Sequence, residues 1–254
     1  MTGLVTRRGM IAAVGAGTGG LLLAGCDKIN SSPAVQHVLG LGRSVTMRSQ
    51  RILTDRTALA PEFAASDMSP VFRTNGNTMP NDTVYQAHAN RQFQDWKLIV
   101  DGLVQRPLAL TLDQIRHMPA RTQITRHDCV EGWSAIGKWT GLPLKLLLDA
   151  AGVRQLARYI VFQCADDFDG TPYYDSIDLV DAYHPQTILA WGMNDKLLSV
   201  GHGAPLRLRL ERQLGYKQAK FVMRVQAVTS LGGLGEGKGG YWEDAADYQW
   251  YGGI

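Results

Sequence analysis

The stretch Arg126-His127-Asp128-Cys129-Val130-Glu131-Gly132-Trp133, continuing from Ser134 to Gly141, constrains this chain more than any other. One cysteine lies among charges, followed by aromatics and by Gly132, Gly137 and Gly141. The mixed, mostly polar residues Arg121 to Arg126 read as the end of a strand. After Gly141, Leu142-Pro143-Leu144 opens an apolar-periodic run through Ala151 that stops at Gly152, the pattern of a helix with its terminal glycine. Cys129 is therefore expected in a structured loop between a strand and a helix, and loops on a rigid scaffold are where chemistry concentrates. A thiolate is a soft ligand for zinc, copper, iron or molybdenum. The competing reading is a structural cysteine, since free cysteines are among the most buried residues.

With 254 residues, 45% of them hydrophobic, the chain can build one large domain or two small ones. A net charge of +3 without a clustered basic stripe gives no footprint for nucleic acid.

The N-terminus reads as an address. Thr6-Arg7-Arg8-Gly9-Met10 precedes a short apolar, glycine-rich stretch ending at Gly25, the layout of a secretory signal. Arg7-Arg8 resembles a twin-arginine export signal, a route that carries folded proteins, often with a cofactor in place. Leu23-Ala24-Gly25-Cys26 looks like a lipoprotein box, and Asp27 next to it fits retention at the inner membrane. The expectation is a periplasmic protein exported by the twin-arginine machinery and lipid-anchored to the inner membrane through Cys26. A membrane anchor helix and an ordinary cleaved signal are the alternatives. Residues 1–25 are assigned to the signal, 26–70 to a tether and N-terminal extension, flexible at Ser31-Ser32-Pro33, and 71–254 to the catalytic body.

Cys129 and Cys164 then remain, and in an oxidising compartment they compete for a disulfide. Two thiols are too few for a Cys-only zinc or iron–sulfur site. Cys-x-x-Cys and haem-attachment motifs are absent, and no Gly-x-Gly-x-x-Gly opens a strand–helix unit.

Along the body, residues 95–102 alternate as a strand ending in a turn. Thr111 with Gln114 forms a capping box for a short helix that ends before Pro119. Residues 158–165 read as a core strand, 166–170 as an acidic loop without calcium-loop spacing, and Ile177 to Ala182 as a helix led in by Tyr173, Tyr174 and Ser176. Met193-Asn194-Asp195 is a turn, and Phe221 to Val225 a strand. Asn75-Gly76 is a turn signal by itself. Arg207, Arg209, Lys217 and Lys220 either face one anion or form a solvated rim. The glycine- and aromatic-rich tail from Gly232 to Ile254 wraps the body or covers a pocket.

Three segments in this order, Cys129-Val130-Glu131-Gly132-Trp133-Ser134, His202-Gly203-Ala204-Pro205-Leu206-Arg207 and Gly215-Tyr216-Lys217-Gln218-Ala219-Lys220, resemble the molybdopterin-binding domain of the sulfite-oxidase family. The branch they resemble is the periplasmic methionine-sulfoxide reductase catalytic subunit, over about Phe72 to Val228. The resemblance implies an α+β fold with mixed β-sheets and peripheral helices. It implies a Mo-molybdopterin cofactor with a single pyranopterin dithiolene, its metal bound by the Cys129 thiolate. Asn75 then touches the pterin region, Cys164 stands where that branch has threonine, His202 replaces an asparagine, and Arg207 matches an arginine. Gln218, Ala219 and Lys220 fall on the segment that holds the cofactor phosphate.

Sulfite oxidases carry Phe-x-x-Arg-Asn-His near the start, whereas Thr74 and Gly76 flank Asn75 here. The implied activity is oxygen-atom transfer, reducing a sulfoxide or N-oxide, with Tyr173 or Tyr174 donating to a substrate oxygen. Electrons then come from a membrane haem protein or a soluble cytochrome. Oxidation of sulfite or another small sulfur compound is the second activity considered, and a non-catalytic cofactor-binding or electron-transfer lipoprotein the third. The chain stops where many members continue into an immunoglobulin-like dimerisation domain, so a monomer is expected.

Overall fold

The structure, a computed structural model, describes residues 32–53, 55 and 57–254. The expected export signal and Cys26 lie outside the described residues. Pro33–Leu53 forms helix α1, a unit of its own; the second unit runs from Thr54 to Ile254. The sequence reading made Pro33 part of a flexible tether. Proline is favoured at the first helical position, where its fixed φ suits the helix and its missing N–H is not needed. Arg51 in the last turn also complements the helix dipole. No described helix is long and apolar enough to cross a membrane.

The second unit is α+β. Helix α2 (Thr83–Asn90) is capped by Asp82, whose carboxylate accepts from the Tyr85 N–H at 2.6 Å. Strand β1 (Lys97–Gly102) pairs antiparallel with β2 (Leu108–Thr111). Helix α3 (Leu112–His117) starts on the expected capping box: Thr111 Oγ1 accepts from Gln114 N at 3.2 Å, and Gln114 Oε1 accepts from Thr111 N at 2.9 Å. A Thr111→Ala variant should lose about 1 kcal/mol, seen as a lower denaturation midpoint at unchanged m-value.

The order continues β3 (Arg121–Cys129), β4 (Trp133–Pro143), α4 (Leu144–Ala151), β5 (Tyr159–Phe168), β6 (Thr171–Asp178), α5 (Leu179–Ala182), β7 (Ile188–Met193), β8 (Lys196–Leu197), β9 (Arg207–Arg209), β10 (Val222–Val228) and α6 (Tyr241–Ala246). One sheet has the order β2-β1-β10-β5-β6, parallel only between β1 and β10. A parallel pair needs a long crossover, and here most of the unit serves as that crossover. The other sheet, β3-β4-β7-β8 with β9 on β7, is antiparallel throughout.

One core joins them: Trp139 and Leu142 of β4, Leu144, Leu147 and Leu148 of α4, Phe162 of β5 and Phe221 before β10 are all buried in it. The buried residues of α4 recur at helical spacing, and Gly152 ends it in the left-handed region.

Four expectations change. Trp133–Pro143 is a strand, so Cys129 ends a strand that turns straight into another rather than a strand-to-helix loop. Strand β5 runs through the acidic residues to Phe168, and the turn is confined to Asp169 and Gly170, both at positive φ. Ser176 and Ile177 belong to β6, and the helix begins at Leu179 on the Asp178 cap, whose side chain accepts from Asp181 N. Residues 58–69, read as tether, hydrogen-bond along the body: Phe63 N to Ile124 O at 2.9 Å and Ser69 N to Ile136 O at 3.0 Å. The tail does wrap the body, through Leu214 N to Gly252 O at 2.8 Å and Ile254 N to Arg212 O at 3.1 Å.

Candidate cofactor site

Cys129 is the last residue of β3 and pairs with Trp133 across a turn whose Gly132 has φ +85°. A side chain at Gly132 would meet no atom, so the backbone conformation, not crowding, calls for glycine there. The thiol is buried and free of any disulfide. Burial pushes its pKa up, while the backbone N–H groups of Glu131 and Val130 pull it down. Among the described residues no three His, Cys, Asp or Glu side chains gather into a metal cage. A metal on Cys129 would therefore take its other ligands from outside the protein.

Behind Cys129, the inward residues of β3 are Gln123, Thr125 and His127. His127 lies under Gly215; a Cβ there would sit 2.5 Å from His127 Nε2. Burial, then the charges of Arg209 and Arg207, hold its imidazole well below the usual pKa, so it is neutral. His127 Nδ1 lies 3.1 Å from the donor Arg209 Nη1 and 3.3 Å from the acceptor Gln218 Oε1. Nε2 is buried without a hydrogen-bond partner.

The four basic residues of the expected anion site are all buried, which excludes the solvated rim. They divide into two kinds. Arg209 is paired with Glu211, and Lys217 with Asp175 and Glu243. Among the described residues, Arg207 and Lys220 have no carboxylate in ion-pair contact, although the Asp166 charge acts on Lys220. Arg207 stacks on Trp139 at 5.0 Å, donates to His202 O at 3.2 Å and leaves its Nε unpartnered. Burial first, then Arg209, pushes its pKa down to about 9. Lys220 donates to three carbonyls, Asn75 O at 2.6 Å, Gly201 O at 3.0 Å and Asn77 O, and burial together with Arg207 lowers its pKa to about 7. Lys220, expected on a phosphate, thus ties down the Asn75–Asn77 loop.

A cavity of about 50 Å³ brings together four of the expected residues, Asn75, Gln218, Lys220 and Tyr173. Sequence reasoning missed Asp166, Gly215 and Trp242, which also line it. Asp166 is buried with Oδ1 unpartnered, and burial raises its pKa to about 6. Its signal was present in the acidic run but was read as a loop; in a strand, alternate residues point inward. His127 stood inside the quoted motif, but nothing in spacing alone marks an orphan ring nitrogen.

Tyr173 is engaged within the protein, and the other expected residues lie elsewhere. Tyr173 donates its hydroxyl to Tyr216 O at 2.9 Å. Tyr174 donates to Asp244 and faces a separate apolar cavity of about 480 Å³, so its proton is not available at the small cavity. Cys164 is half-buried on β5 beside that larger cavity, and burial pushes its pKa well up. His202 is engaged at both nitrogens. Nε2 lies 3.2 Å from the acceptor Phe72 O and so carries the proton, and Nδ1 accepts from Ser199 Oγ at 2.9 Å. It faces a surface pocket with Phe72 rather than the small cavity. Ala219 contributes backbone, its carbonyl accepting from Leu208 N at 2.8 Å.

The residues present fit a molybdenum–pterin group in their chemistry. Arg207, buried with its Nε unpartnered, suits an anion such as phosphate. The unpartnered His127 Nε2, Arg207 Nε and Asp166 Oδ1 suit a heterocycle rich in donors and acceptors. Cys129 offers the soft ligand.

The sequence profile described as "Oxidoreductase molybdopterin binding domain" matches residues 85–231. The chain is 38% identical to "Putative protein-methionine-sulfoxide reductase subunit YedZ1" of Azospira oryzae, over 92% of this chain and 83% of that protein. It is 31% identical to "Protein-methionine-sulfoxide reductase catalytic subunit MsrP" of Campylobacter jejuni, over 54% of this chain and 50% of that one. Among solved structures it is similar to the sulfane dehydrogenase SoxCD of Paracoccus pantotrophus, with a TM-score of 0.49 and 24% identity over 54% of this chain and 39% of that one. With the free thiol, the buried cations and the matched profile in hand, the chain belongs to the oxidoreductase molybdopterin-binding family and is a molybdopterin-dependent oxidoreductase.

Proposed function

We propose that the protein reduces a sulfoxide by oxygen-atom transfer, taking two electrons and two protons and releasing the thioether and water. The observation that carries this reading is the free, buried Cys129 thiol at a tight turn, at the end of the strand whose inward face carries His127 beside the buried Arg209. The names of the two relatives supply the substrate class.

Cys129 would hold the metal of a single-pyranopterin cofactor. That group, when bound, supplies the two-electron chemistry. The thiol loses its proton on binding; burial holds its pKa above the ordinary value, and the Glu131 and Val130 N–H groups offset part of that. Arg207 would meet the cofactor's anionic end, while Lys220 fixes the Asn75–Asn77 loop beside it. Neutral His127 would offer its unpartnered Nε2 to the cofactor as a polar contact that needs no charge. The buried Trp139 face under Arg207 and Arg209 keeps water away from the cations.

A periplasmic location, twin-arginine export and a lipid anchor at Cys26 complete the proposal, with electrons arriving from a membrane haem-containing subunit or a soluble cytochrome. Sulfite oxidation is disfavoured because residues 74–76 read Thr-Asn-Gly, without the arginine that flanks this asparagine in sulfite oxidases.

The test is a dye-coupled assay on the molybdenum-loaded enzyme. Methionine sulfoxide should oxidise the reduced dye with saturation, and sulfite should not reduce the oxidised dye. Turnover of sulfite alone would reverse the assignment.

A further inference from the structure

Residues 231–247 leave the sheet after β10 and pack against β6. Six of the nine residues from Gly232 to Gly240 are glycine, and Gly235, Gly237 and Gly239 take positive φ, so the chain can reorient here at little steric cost. At the other end Asp247, also at positive φ, closes α6. Between these ends lie Trp242, which lines the cofactor cavity, and Tyr241 and Asp244, which line the apolar cavity. Among the described residues, the segment pairs with the sheets at one bridge, Gly240 with Asp175. Side chains hold the rest: Tyr174 donates to Asp244, Ser176 donates to Gly239 O, and Tyr241 stacks on Phe168 at 4.9 Å.

A charge cluster is central to this attachment. Lys217 Nζ bonds Asp175 of β6 on the body side and Glu243 of α6 on the other, and all three side chains are buried. With the segment lifted, Lys217 and Asp175 remain as one cation and one anion. With it down, one ammonium faces two carboxyl groups. Asp175 Oδ1 accepts from Lys217 and from Ser176 N at 2.6 Å, whereas Oδ2 is buried with no hydrogen-bond partner. An unshared negative charge there is costly, so closure favours an Asp175 that has gained one proton. Burial, opposed by Lys217 and reinforced by Glu243, raises its pKa to about 8. Tyr173 on β6, Tyr216 beside Lys217 and Cys164 on β5 also interact with Asp175; burial raises the pKa of each, so they stay neutral.

We propose that residues 231–247 are a proton-controlled strap, which closes over β6 and the two cavities as the Lys217–Asp175–Glu243 cluster takes up one proton and lifts as that proton leaves. In the lifted state the Lys217 pair and solvent return the Asp175 carboxyl toward its ordinary range. Closure then binds one proton between that range and about pH 8, so the opening constant rises about tenfold per pH unit and levels off above about pH 8. Strap closure is independent of the substrate and of the sulfoxide reading.

Lys238 supplies the readout, being exposed but tied down by its N–H, which donates to Asp244 Oδ1 at 3.0 Å. Tryptic cleavage after Lys238 is followed in the loaded full-length enzyme from about pH 6 to about pH 9, where the rate tracks the open population. Each rate is divided by that of a free peptide of residues 231–247, and product masses show where the chain is cut. The parent should be cut about tenfold faster per pH unit up to about pH 8, and no faster beyond it. Asp175→Asn cannot ionise, and Glu243→Gln leaves one carboxylate for one ammonium, so both clusters are neutral with the strap down. Each variant should keep the slow rate of the parent at about pH 6 across the whole range.

A parent rate that does not change with pH, or a rise that persists in either variant, would overturn the proposal. Faster cleavage of either variant at every pH would do the same, because that marks a plain structural anchor. Cuts elsewhere in the second unit that rise in step with the cut at Lys238 would show global unfolding instead of strap release and would also overturn it. If one variant does not fold, the other and the parent profile decide. If neither folds, a neutral cluster does not suffice to close the strap and the proposal fails.

Discussion

A Cys129→Ser variant is expected to lose turnover of methionine sulfoxide down to the level of the assay without enzyme, while remaining folded. The two halves of this expectation come from different physics. The side chains are nearly isosteric, and the Val130 and Glu131 N–H groups that face the thiol can face a hydroxyl equally well. The stability change should therefore be about 1 kcal/mol or less. A serine hydroxyl, however, stays protonated where a metal-bound thiolate does not, and oxygen is a harder ligand than sulfur.

Metal content and pterin content should separate in this variant. Pterin should be largely retained through contacts that do not involve Cys129, and molybdenum per pterin should fall. Arg207→Ala should show the reverse pattern, with lower pterin occupancy and turnover per bound molybdenum largely kept. Normal metal content with full activity in Cys129→Ser would remove this residue from the site. Mass spectrometry under non-reducing conditions adds an independent reading: Cys129 and Cys164 are both free here, and no crosslink between them is expected.

Local signals in the chain reported local structure well. The Thr111–Gln114 capping box, the Gly152 terminus and the Asn194-Asp195 turn, whose two residues both have positive φ, are each decided by a few neighbouring residues. Cys129 stands out as a candidate in the sequence because its motif is contiguous. What escaped reading depends on contacts distant in sequence. The stretch after Cys129 was taken for a loop because its glycines mask a strand that β3 and β7 hold on either side.

The basic residues show the limit most clearly. Arg207, Arg209, Lys217 and Lys220 look equivalent in sequence, yet only the partners supplied by the fold separate them. Glu211, two residues from Arg209, could have been paired with it by inspection. Glu243, the partner of Lys217, is 26 residues away on α6. Lys220 reaches Asn75 O across 145 residues. The same applies to His202, whose ring is closed off by Phe72 O, an acceptor that no motif could reveal.

Lys217→Met is expected to have the largest effect on stability of any single change in this part of the molecule. Lys217 Nζ is fully buried between the carboxylates of Asp175 on β6 and Glu243 on α6. Removing it leaves the buried Glu243 carboxylate and the Asp175 carboxyl group facing each other with no cation, a loss of about 3–5 kcal/mol. The damage should reach the cofactor site, because α6 also carries Trp242, which lines the small cavity. Cofactor occupancy should fall with stability, unlike the Cys129→Ser case.

Asp175→Asn is the informative contrast. Burial outweighs the attraction of Lys217 and raises the Asp175 pKa to about 8, above its value of 3.8 as a free side chain. The folded state therefore holds this proton more tightly than the unfolded state. Asp175 then contributes stability below about pH 4 that is progressively lost as pH rises toward 8. Asparagine keeps an acceptor for Lys217, leaves one ammonium for the single carboxylate of Glu243, and cannot ionise. Asp175→Asn should match or exceed the parent at pH 8, and its stability should vary less with pH between 4 and 8. Denaturant midpoints of the parent and both variants, taken across that range, make the measurement. Loss of several kcal/mol in Asp175→Asn at pH 8 would mean that the Asp175 charge, rather than its hydrogen bond, holds Lys217. Lys217 would then need both anions to stay buried.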